Sequence, residues 1–300
     1  MRRALLAAAL ALAGCVDATR QYVRYPNDTP ALAPRSLPAF FDCLREAGQT
    51  VVSAHRGGAQ GSLPENSLRA FGFTLAHAPV FLEIDVRAAR DGLVVMHDES
   101  VDRTTNGEGA VADMNVDQIR ALTLDGIPPG EHPPSLQEAL DWADGRTVLE
   151  LDVKQDVRFE DVIAEIRAAD AMGRVIFITN SVGAAARLAR LAPEAMLYVT
   201  VRNVRDLDEL ERRGVDLAQV VAWTGDEEPD SALNIALAER GVEARFGMFA
   251  RGAPANQAAA FAETGLQIIA TDAPDAVVAN LDEHDGVASG YGALRCVAAD

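Results

Sequence analysis

Lysine is almost absent from this chain of 300 residues: Lys154 stands alone among 27 basic residues, and the rest are arginine. Basic side chains are also outnumbered, because 45 acidic residues bring the formal net charge to -18. A molecule of that charge repels a phosphate backbone, and no arginine-rich patch offsets the repulsion. The composition therefore argues against nucleic acid as a partner and makes Lys154 a candidate functional residue.

The first apolar run is too short to cross a bilayer permanently. It covers Ala4–Ala13 and follows the charged start Met1-Arg2-Arg3, an order typical of an export signal. The run ends in Leu12-Ala13-Gly14-Cys15, which resembles the lipobox of bacterial lipoproteins. We therefore expect a signal peptide at residues 1–14 and a lipid on Cys15, with the protein held at the cell envelope and facing the periplasm or the exterior. The alternative is an ordinary secretory signal with an incidental cysteine.

Prolines punctuate the next segment and predict an extended tether over residues 15–38. From residue 39 to 300, short apolar runs alternate with amphipathic helical stretches, which predicts one domain with a parallel sheet. No glycine-rich dinucleotide turn follows the first strand, so we expect a (β/α)8 TIM-type barrel rather than a doubly wound sheet. Nine strand candidates compete for eight barrel positions, so one of them is either wrongly predicted or extra. The polar, glycine-punctuated segment Asp98–Asp113 predicts an irregular loop after the third strand.

Only two cysteines remain beside Cys15. Cys43 and Cys296 lie near opposite ends of the predicted domain, and an exported protein meets an oxidising compartment. Barrel closure brings the two ends of the fold near each other. A Cys43–Cys296 disulfide is therefore one expectation, and two separate buried thiols are the other.

Charged side chains cluster where predicted strands end. His55 follows Val51–Ala54 and His97 follows Leu93–Met96. A lone histidine in such a place is more often structural, but two with acidic neighbours indicate acid–base chemistry. Strand alternation puts Glu83 and Asp85 on one face, and it does the same for Glu150, Asp152 and Lys154. Carboxylates that converge from two strands favour a hard cation such as Ca²⁺ or Mg²⁺, and no paired cysteines suggest structural zinc.

The ordered motifs resemble the signature of the glycerophosphodiester phosphodiesterases. They are His55-Arg56-Gly57, Pro64-Glu65-Asn66-Ser67, Glu83-Ile84-Asp85, Asp91-Gly92, His97-Asp98, Asp102 to Gly109, Asp152-Val153-Lys154 and Thr271-Asp272-Ala273-Pro274. The resemblance is close over residues 50–155 and is carried by the fold pattern alone from 156 to 265.

The resemblance implies metal-dependent hydrolysis of a glycerophosphodiester to glycerol 3-phosphate and an alcohol. It implies the following roles: metal ligands Glu83, Asp85 and Asp152; phosphate-binding Arg56 and Lys154; acid–base His55 and His97; auxiliary Glu65 and Glu150. Asp102, Arg103 and Thr104 are expected to order the long loop. The attacking group is either the substrate's neighbouring hydroxyl, which gives a cyclic phosphate, or water.

Two departures from the family pattern affect the expected site. Asp152-Val153-Lys154 stands where the family has Glu-x-Lys, and Gly247-Met248-Phe249-Ala250 stands where it has Trp-Thr-Val-Asn. Metal preference and the substrate's alcohol are therefore open. The alternative functions are a phospholipase D-like, lysophospholipase D-like or sphingomyelinase-like cleavage of membrane lipids, or a lipoprotein that binds a phosphorylated ligand without catalysis. The sequence identifies no protein partner.

Overall fold

A computed structural model describes residues 30–126, 129–249, 254–286 and 291–299. The predicted signal peptide, Cys15 and most of the predicted tether lie outside these ranges. Within them, no helix combines the length and apolar character that a membrane span needs.

The predicted barrel is confirmed. Eight parallel strands follow one another round a closed sheet, because β1 pairs with both β2 and β9. The strands of the described residues are β1 (Val51–Ala54), β2 (Phe81–Ala88), β3 (Leu93–Val95), β4 (Leu149–Val153), β5 (Val175–Thr179), β6 (Met196–Thr200), β7 (Val220–Gly225), β8 (Glu243–Met248) and β9 (Ile268–Thr271).

Helices lie before, between and after the strands of the barrel. They are α1 (Leu37–Ala47), α2 (Leu68–His77), α3 (Val116–Arg120), α4 (Leu136–Ala143), α5 (Phe159–Ala168), α6 (Val182–Leu191), α7 (Val204–Arg212), α8 (Ser231–Ala238), α9 (Ala258–Ala262) and α10 (Pro274–His284). Polar side chains before several helices accept a hydrogen bond from the first turn and so fix where the helix begins, as Ser67 does for α2 and Ser135 for α4. The apolar faces of these helices pack on the strands, whose residues are largely buried.

The extra strand candidate is the third one. β3 runs antiparallel to β2, with Val95 opposite Val86, and it stands outside the eight-stranded ring. The link from β2 to β3 is too short for the helical crossover that a parallel neighbour requires. His97 consequently follows an antiparallel strand, whereas His55 follows a barrel strand.

The segment after β3 is irregular, as the sequence predicts. Isolated bridges join Ser100 to Ala110 and Thr105 to Leu124. A small apolar cluster, formed by Val94, Met96, Val101, Val111 and Ile119, lies beneath this segment. The loop therefore has a core of its own.

Packing against the barrel begins within the segment that the sequence predicts as a tether, before residue 39. Leu32 is buried and bridges to Thr147, and α1 begins at Leu37 with Ser36 as its cap. Three phenylalanines, Phe40 and Phe41 of α1 and Phe81 of β2, contact one another edge to face or tilted. Burial of these rings and of Leu32 holds the segment against the barrel in spite of its prolines.

A disulfide joins Cys43 of α1 to Cys296, across a sequence separation of 253 residues. Cys296 ends the 3-10 turn Gly292–Cys296, which packs against α1. Of the two expectations for these cysteines, the structure has the bonded pair.

Candidate active site

Three carboxylates from two neighbouring strands form the centre of the site. Asp85 of β2 lies opposite Asp152 of β4, and Glu83 lies one inward-facing position earlier on β2. An oxygen from each lies within 4.8 Å of the others. Burial and the nearby charge of Asp85 raise the pKa of Glu83 well above its usual value. Oxygen donors under such mutual repulsion fit a hard divalent cation, which would have remaining positions for water or substrate.

Lys154 extends over two of these carboxylates. Its Nζ lies 2.5 Å from Oδ1 of Asp85 and 2.6 Å from Oδ2 of Asp152. Burial favours the neutral amine, but the charge of Asp85 and hydrogen bonds to both carboxylates outweigh it and raise the pKa of Lys154. The same contact helps to lower the pKa of Asp85 against the effect of burial. The one lysine of the chain is therefore a fixed positive charge at the centre of the site.

Arg56 is held beside the cluster by an unusual backbone conformation. Its φ of 51° lies in the left-handed region, which costs a non-glycine residue about 1–3 kcal/mol. Its N–H donates to Oε2 of Glu83 at 2.8 Å, and its Nη1 donates to Glu65 at 3.0 Å. Its buried Nε has no hydrogen-bond acceptor among the described residues and lies 3.7 Å from Asp85. This guanidinium is placed to meet an anionic ligand.

The loop that follows Arg56 orients Asp85. Asn66 donates through Nδ2 to Oδ2 of Asp85 at 2.7 Å and accepts from the Asp85 backbone through Oδ1 at 3.1 Å. The adjacent Glu65 binds Arg56 and Arg103 instead of joining the carboxylate cluster. Its placement supports a positioning role for this auxiliary candidate.

Both candidate histidines are paired with a carboxylate. Nδ1 of His55 lies 2.7 Å from Oδ1 of Asp272, and Nδ1 of His97 lies 2.6 Å from Oδ1 of Asp98. An ionised carboxylate only accepts, so each pair assigns the proton to Nδ1 and leaves Nε2 as the nitrogen that can exchange a proton with a ligand. His97 is also close enough to Asp85 to lower its pKa.

The sequence analysis does not identify Asp98 and Asp272 as the partners of the histidines, although both lie within the family-like motifs. For Asp98 the signal was adjacency to His97. For Asp272 it was the place directly after β9, which is the neighbour of β1 in a closed barrel.

Glu150 does not join the cation cluster, so its expected auxiliary role at the metal is not supported by its position. The side chain points into the barrel, where it accepts from Ser53 at 2.6 Å, Tyr198 at 2.7 Å and Arg245 at 2.7 Å. It is fully buried, and these three donors satisfy its charge. Asp152 reaches the cluster without it.

A cavity of about 210 Å³ opens beside Glu83, Asp152 and His55. Its wall includes Trp223 and Phe249, whose stacked rings lie 6.2 Å apart, and the Phe249 ring lies 5.0 Å from that of His55. The segment that departs from the family pattern therefore gives an aromatic wall next to a candidate acid–base group.

Together, the barrel and its rim define an α/β-barrel protein in which a carboxylate cluster that could hold a cation lies beside two histidines, each paired with a carboxylate. The chain belongs to the glycerophosphoryl diester phosphodiesterase family, whose model matches residues 55–276.

Relatives and solved structures agree with this membership. The glycerophosphodiester phosphodiesterase of Caldanaerobacter subterraneus subsp. tengcongensis is 42% identical over 99 residues, which cover 31% of this chain and 40% of that protein. The rat glycerophosphodiester phosphodiesterase 1 is 38% identical over 125 residues, covering 39% and 36%. This chain thus spans less than half the length of these two relatives.

A glycerophosphoryl diester phosphodiesterase from Parabacteroides distasonis has a TM-score of 0.75 at 26% identity, with 87% of this chain and 97% of that one covered. An Oleispira antarctica phosphodiesterase, solved with its product sn-glycerol-3-phosphate, has a TM-score of 0.63 at 21% identity, with coverages of 79% and 99%. At that identity the second likeness concerns the fold alone.

Proposed function

We propose that this protein hydrolyses glycerophosphodiesters to glycerol 3-phosphate and an alcohol in a reaction that depends on Ca²⁺ or Mg²⁺. The observation that carries the proposal is the convergence of Glu83, Asp85 and Asp152 within 4.8 Å, beside two histidines that are each paired with a carboxylate. The family match and the relatives named glycerophosphodiester phosphodiesterase support the choice of substrate.

A phosphodiester resists hydrolysis because its negative charge repels nucleophiles and because an alkoxide leaves poorly. Arg56 and Lys154 would bind the nonbridging oxygens and stabilise the charge that grows in the transition state. A divalent cation held by Glu83, Asp85 and Asp152 would supply further Lewis-acid stabilisation.

His55 and His97 would divide the proton transfers. One removes a proton from the attacking hydroxyl, and the other protonates the leaving oxygen. The attacker is either a water molecule or the substrate's neighbouring hydroxyl, which would give a cyclic phosphate that water then opens to glycerol 3-phosphate. Trapping of the cyclic phosphate would identify the second route.

The direct test is turnover of glycerophosphocholine, glycerophosphoethanolamine and glycerophosphoglycerol with Ca²⁺ or Mg²⁺, each with and without a chelator. We expect release of glycerol 3-phosphate that the chelator abolishes and added metal restores. Binding of these diesters without metal-dependent turnover would favour the non-catalytic alternative.

The aromatic wall favours a second candidate, cleavage of a larger lipid such as a lysophospholipid. Trp223 and Phe249 offer apolar surface beside His55, where the family pattern is interrupted. Release of free choline from lysophosphatidylcholine, faster than glycerol 3-phosphate from glycerophosphocholine, would establish it.

We also propose that a lipid on Cys15 holds the protein at the cell envelope, facing the periplasm or the exterior. The support is the sequence of residues 1–15. An acidic body gains nothing by charge from an anionic membrane, so acyl chains would supply the attachment. Incorporation of labelled palmitate into the wild type and its loss in Cys15→Ser would test this, and equal labelling would contradict it.

A further inference from the structure

A line of alternating charges connects Arg56 to His97 through the loop after β3. Oε1 of Glu65 accepts from Nη1 of Arg56 at 3.0 Å and from Nη2 of Arg103 at 2.6 Å. Nε of Arg103 donates to Oδ2 of Asp98, and Oδ1 of Asp98 lies 2.6 Å from Nδ1 of His97. Arg103 is the middle member of these five side chains and the one that contacts both carboxylates.

The geometry of a guanidinium explains what this contact can do. Its planar fork holds two acceptors in fixed directions, which a lysine ammonium does not. With Oδ2 of Asp98 bound to Arg103, Oδ1 is directed at His97, and rotation of the carboxylate breaks a charge-assisted hydrogen bond. The hydrogen bond from Arg103 has the largest effect on the pKa of Asp98. Together with the hydrogen bond from His97, it holds this pKa far below its usual value in spite of partial burial. Asp98 therefore remains an acceptor for Nδ1–H.

We propose that Arg103 is a positioning residue for the reaction: it fixes Asp98, and through Asp98 it fixes the ring orientation and tautomer of His97. Its second contact, with Oε1 of Glu65 at 2.6 Å, holds the other side of the guanidinium in place. The inference rests on the proposed function, and it replaces the expectation from sequence that Arg103 only orders the loop.

A purely structural role for Arg103 would mean that its removal unfolds the loop, and the structure argues against this. Its side chain is 49% exposed, and ion pairs at such positions contribute about 0–1 kcal/mol to stability. The loop also has its own apolar cluster with Val101 and Val111. Arg103→Gln should therefore leave the loop folded, so that any loss of rate reports on His97 rather than on unfolding.

The kinetic test is a double-mutant cycle between Arg103→Gln and Asp98→Asn. We expect Arg103→Gln to lower kcat by roughly 10- to 100-fold, as a small misplacement of a catalytic group does. KM should change much less, since the ground-state contacts remain. In the Asp98→Asn background the same substitution should have little further effect, because its action passes through Asp98. Arg103→Lys should restore only part of the rate.

Arg90→Gln is the matched control. Arg90 is an arginine on the turn before β3 and hydrogen-bonds to Gln118 rather than to the site. It should keep wild-type kcat and KM.

A second readout is independent of turnover. In protein labelled with ¹⁵N-histidine, the Nδ1–H signal of His97, assigned by its loss in His97→Gln, should shift or broaden in Arg103→Gln and not in Arg90→Gln. An unchanged signal, an unchanged kcat, or an undiminished effect in the Asp98→Asn background each overturns the proposal. If the wild type turns over no diester, the proposed function fails, and the His97 signal alone then decides whether Arg103 positions the ring.

Discussion

At the scale of single residues, the site holds three carboxylates closer together than their charges favour. Glu83 is almost fully buried, and Lys154 contacts Asp85 and Asp152. The acid with the raised pKa is therefore the one that the lysine does not neutralise.

This imbalance predicts opposite effects of Glu83→Gln with and without metal. In a chelator the variant should be more stable than the wild type by about 1 kcal/mol or more, because an isosteric amide removes a buried like charge and still accepts from the Arg56 N–H. With saturating Ca²⁺ or Mg²⁺ the order should reverse, because the wild type gains binding energy. Thermal unfolding with a chelator and with metal measures the two effects. Asp117→Asn, which replaces an exposed aspartate, is the control. If metal stabilised the variant as much as the wild type, Glu83 would not be a metal ligand.

The paired histidines predict a large loss of rate on truncation. A general acid or base contributes about 10² to 10⁴ in rate, so His55→Ala and His97→Ala should each lose at least that range in kcat. His284→Ala is the control, because His284 is exposed and its ring hydrogen-bonds to the backbone carbonyl of Asn280 in its own helix. Near-normal turnover of either variant would contradict the two-histidine scheme.

At the scale of elements, β8 shapes the wall of the cavity. A Cβ built on Gly247 would lie 2.5 Å from Cε2 of Phe249 and 2.6 Å from Cη2 of Trp223. The missing side chain therefore lets the two rings lie against the strand.

Gly247→Ala should displace the rings and raise KM by roughly 10-fold, since apolar contacts in a pocket are worth about 1–3 kcal/mol. Metal affinity should be unchanged because the candidate metal ligands lie on β2 and β4. Gly173→Ala, which meets open space, is the matched control. Steady-state kinetics with calorimetric metal titration tests this, and a wild-type KM would show that the wall does not contact substrate.

Helix α4 precedes the strand that carries Asp152 and begins in a capping box of Ser135 and Glu138. Burial would raise the pKa of Glu138, but hydrogen bonds from His132, the Ser135 backbone and Arg120 lower it to about 2. A carboxyl whose pKa falls on folding stabilises the protein at any pH above its ordinary pKa of 4.5. This stabilisation is lost as the pH falls to the folded pKa of about 2.

Glu138→Gln keeps the cap but removes the charge, so it should destabilise the protein by roughly 2 kcal/mol at neutral pH. The difference from wild type should shrink as the pH approaches 2. Urea unfolding across this range measures it, with Gln137→Ala on an exposed position of the same helix as the control. A gap that is independent of pH would refute the assignment to charge.

At the scale of the whole molecule, closure of the barrel brings the ends of the domain together. The disulfide joins Cys43 to Cys296, which lie 253 positions apart in the sequence. By loop entropy a bridge of that length constrains the unfolded chain by about 5 kcal/mol.

In a Cys15→Ser background, the denatured, unreduced protein should show no free thiol. Cys43→Ser with Cys296→Ser should lower the free energy of unfolding by up to about 5 kcal/mol while leaving kcat unchanged, because the bridge lies outside the site. Two reactive thiols, or equal stability of the two proteins, would contradict this.

The sequence by itself determined the barrel class and the pairs of acids that share a face, because strand alternation is a local property of the chain. It also singled out both histidines and Lys154. It did not determine which carboxylates meet at the rim. Glu150 and Asp152 share the inward face of β4, yet Glu150 stays out of the cluster because Arg245, 95 residues away, and Tyr198, 48 residues away, supply its partners.

The same limit applies to Asp272, which reaches His55 across 217 residues because β9 closes on β1. Local pattern gives the direction of a side chain from its strand, whereas the register between strands selects its neighbours. Only the tertiary structure therefore decided which carboxylates form the cation cluster, which one is neutralised inside the barrel, and which orient the histidines.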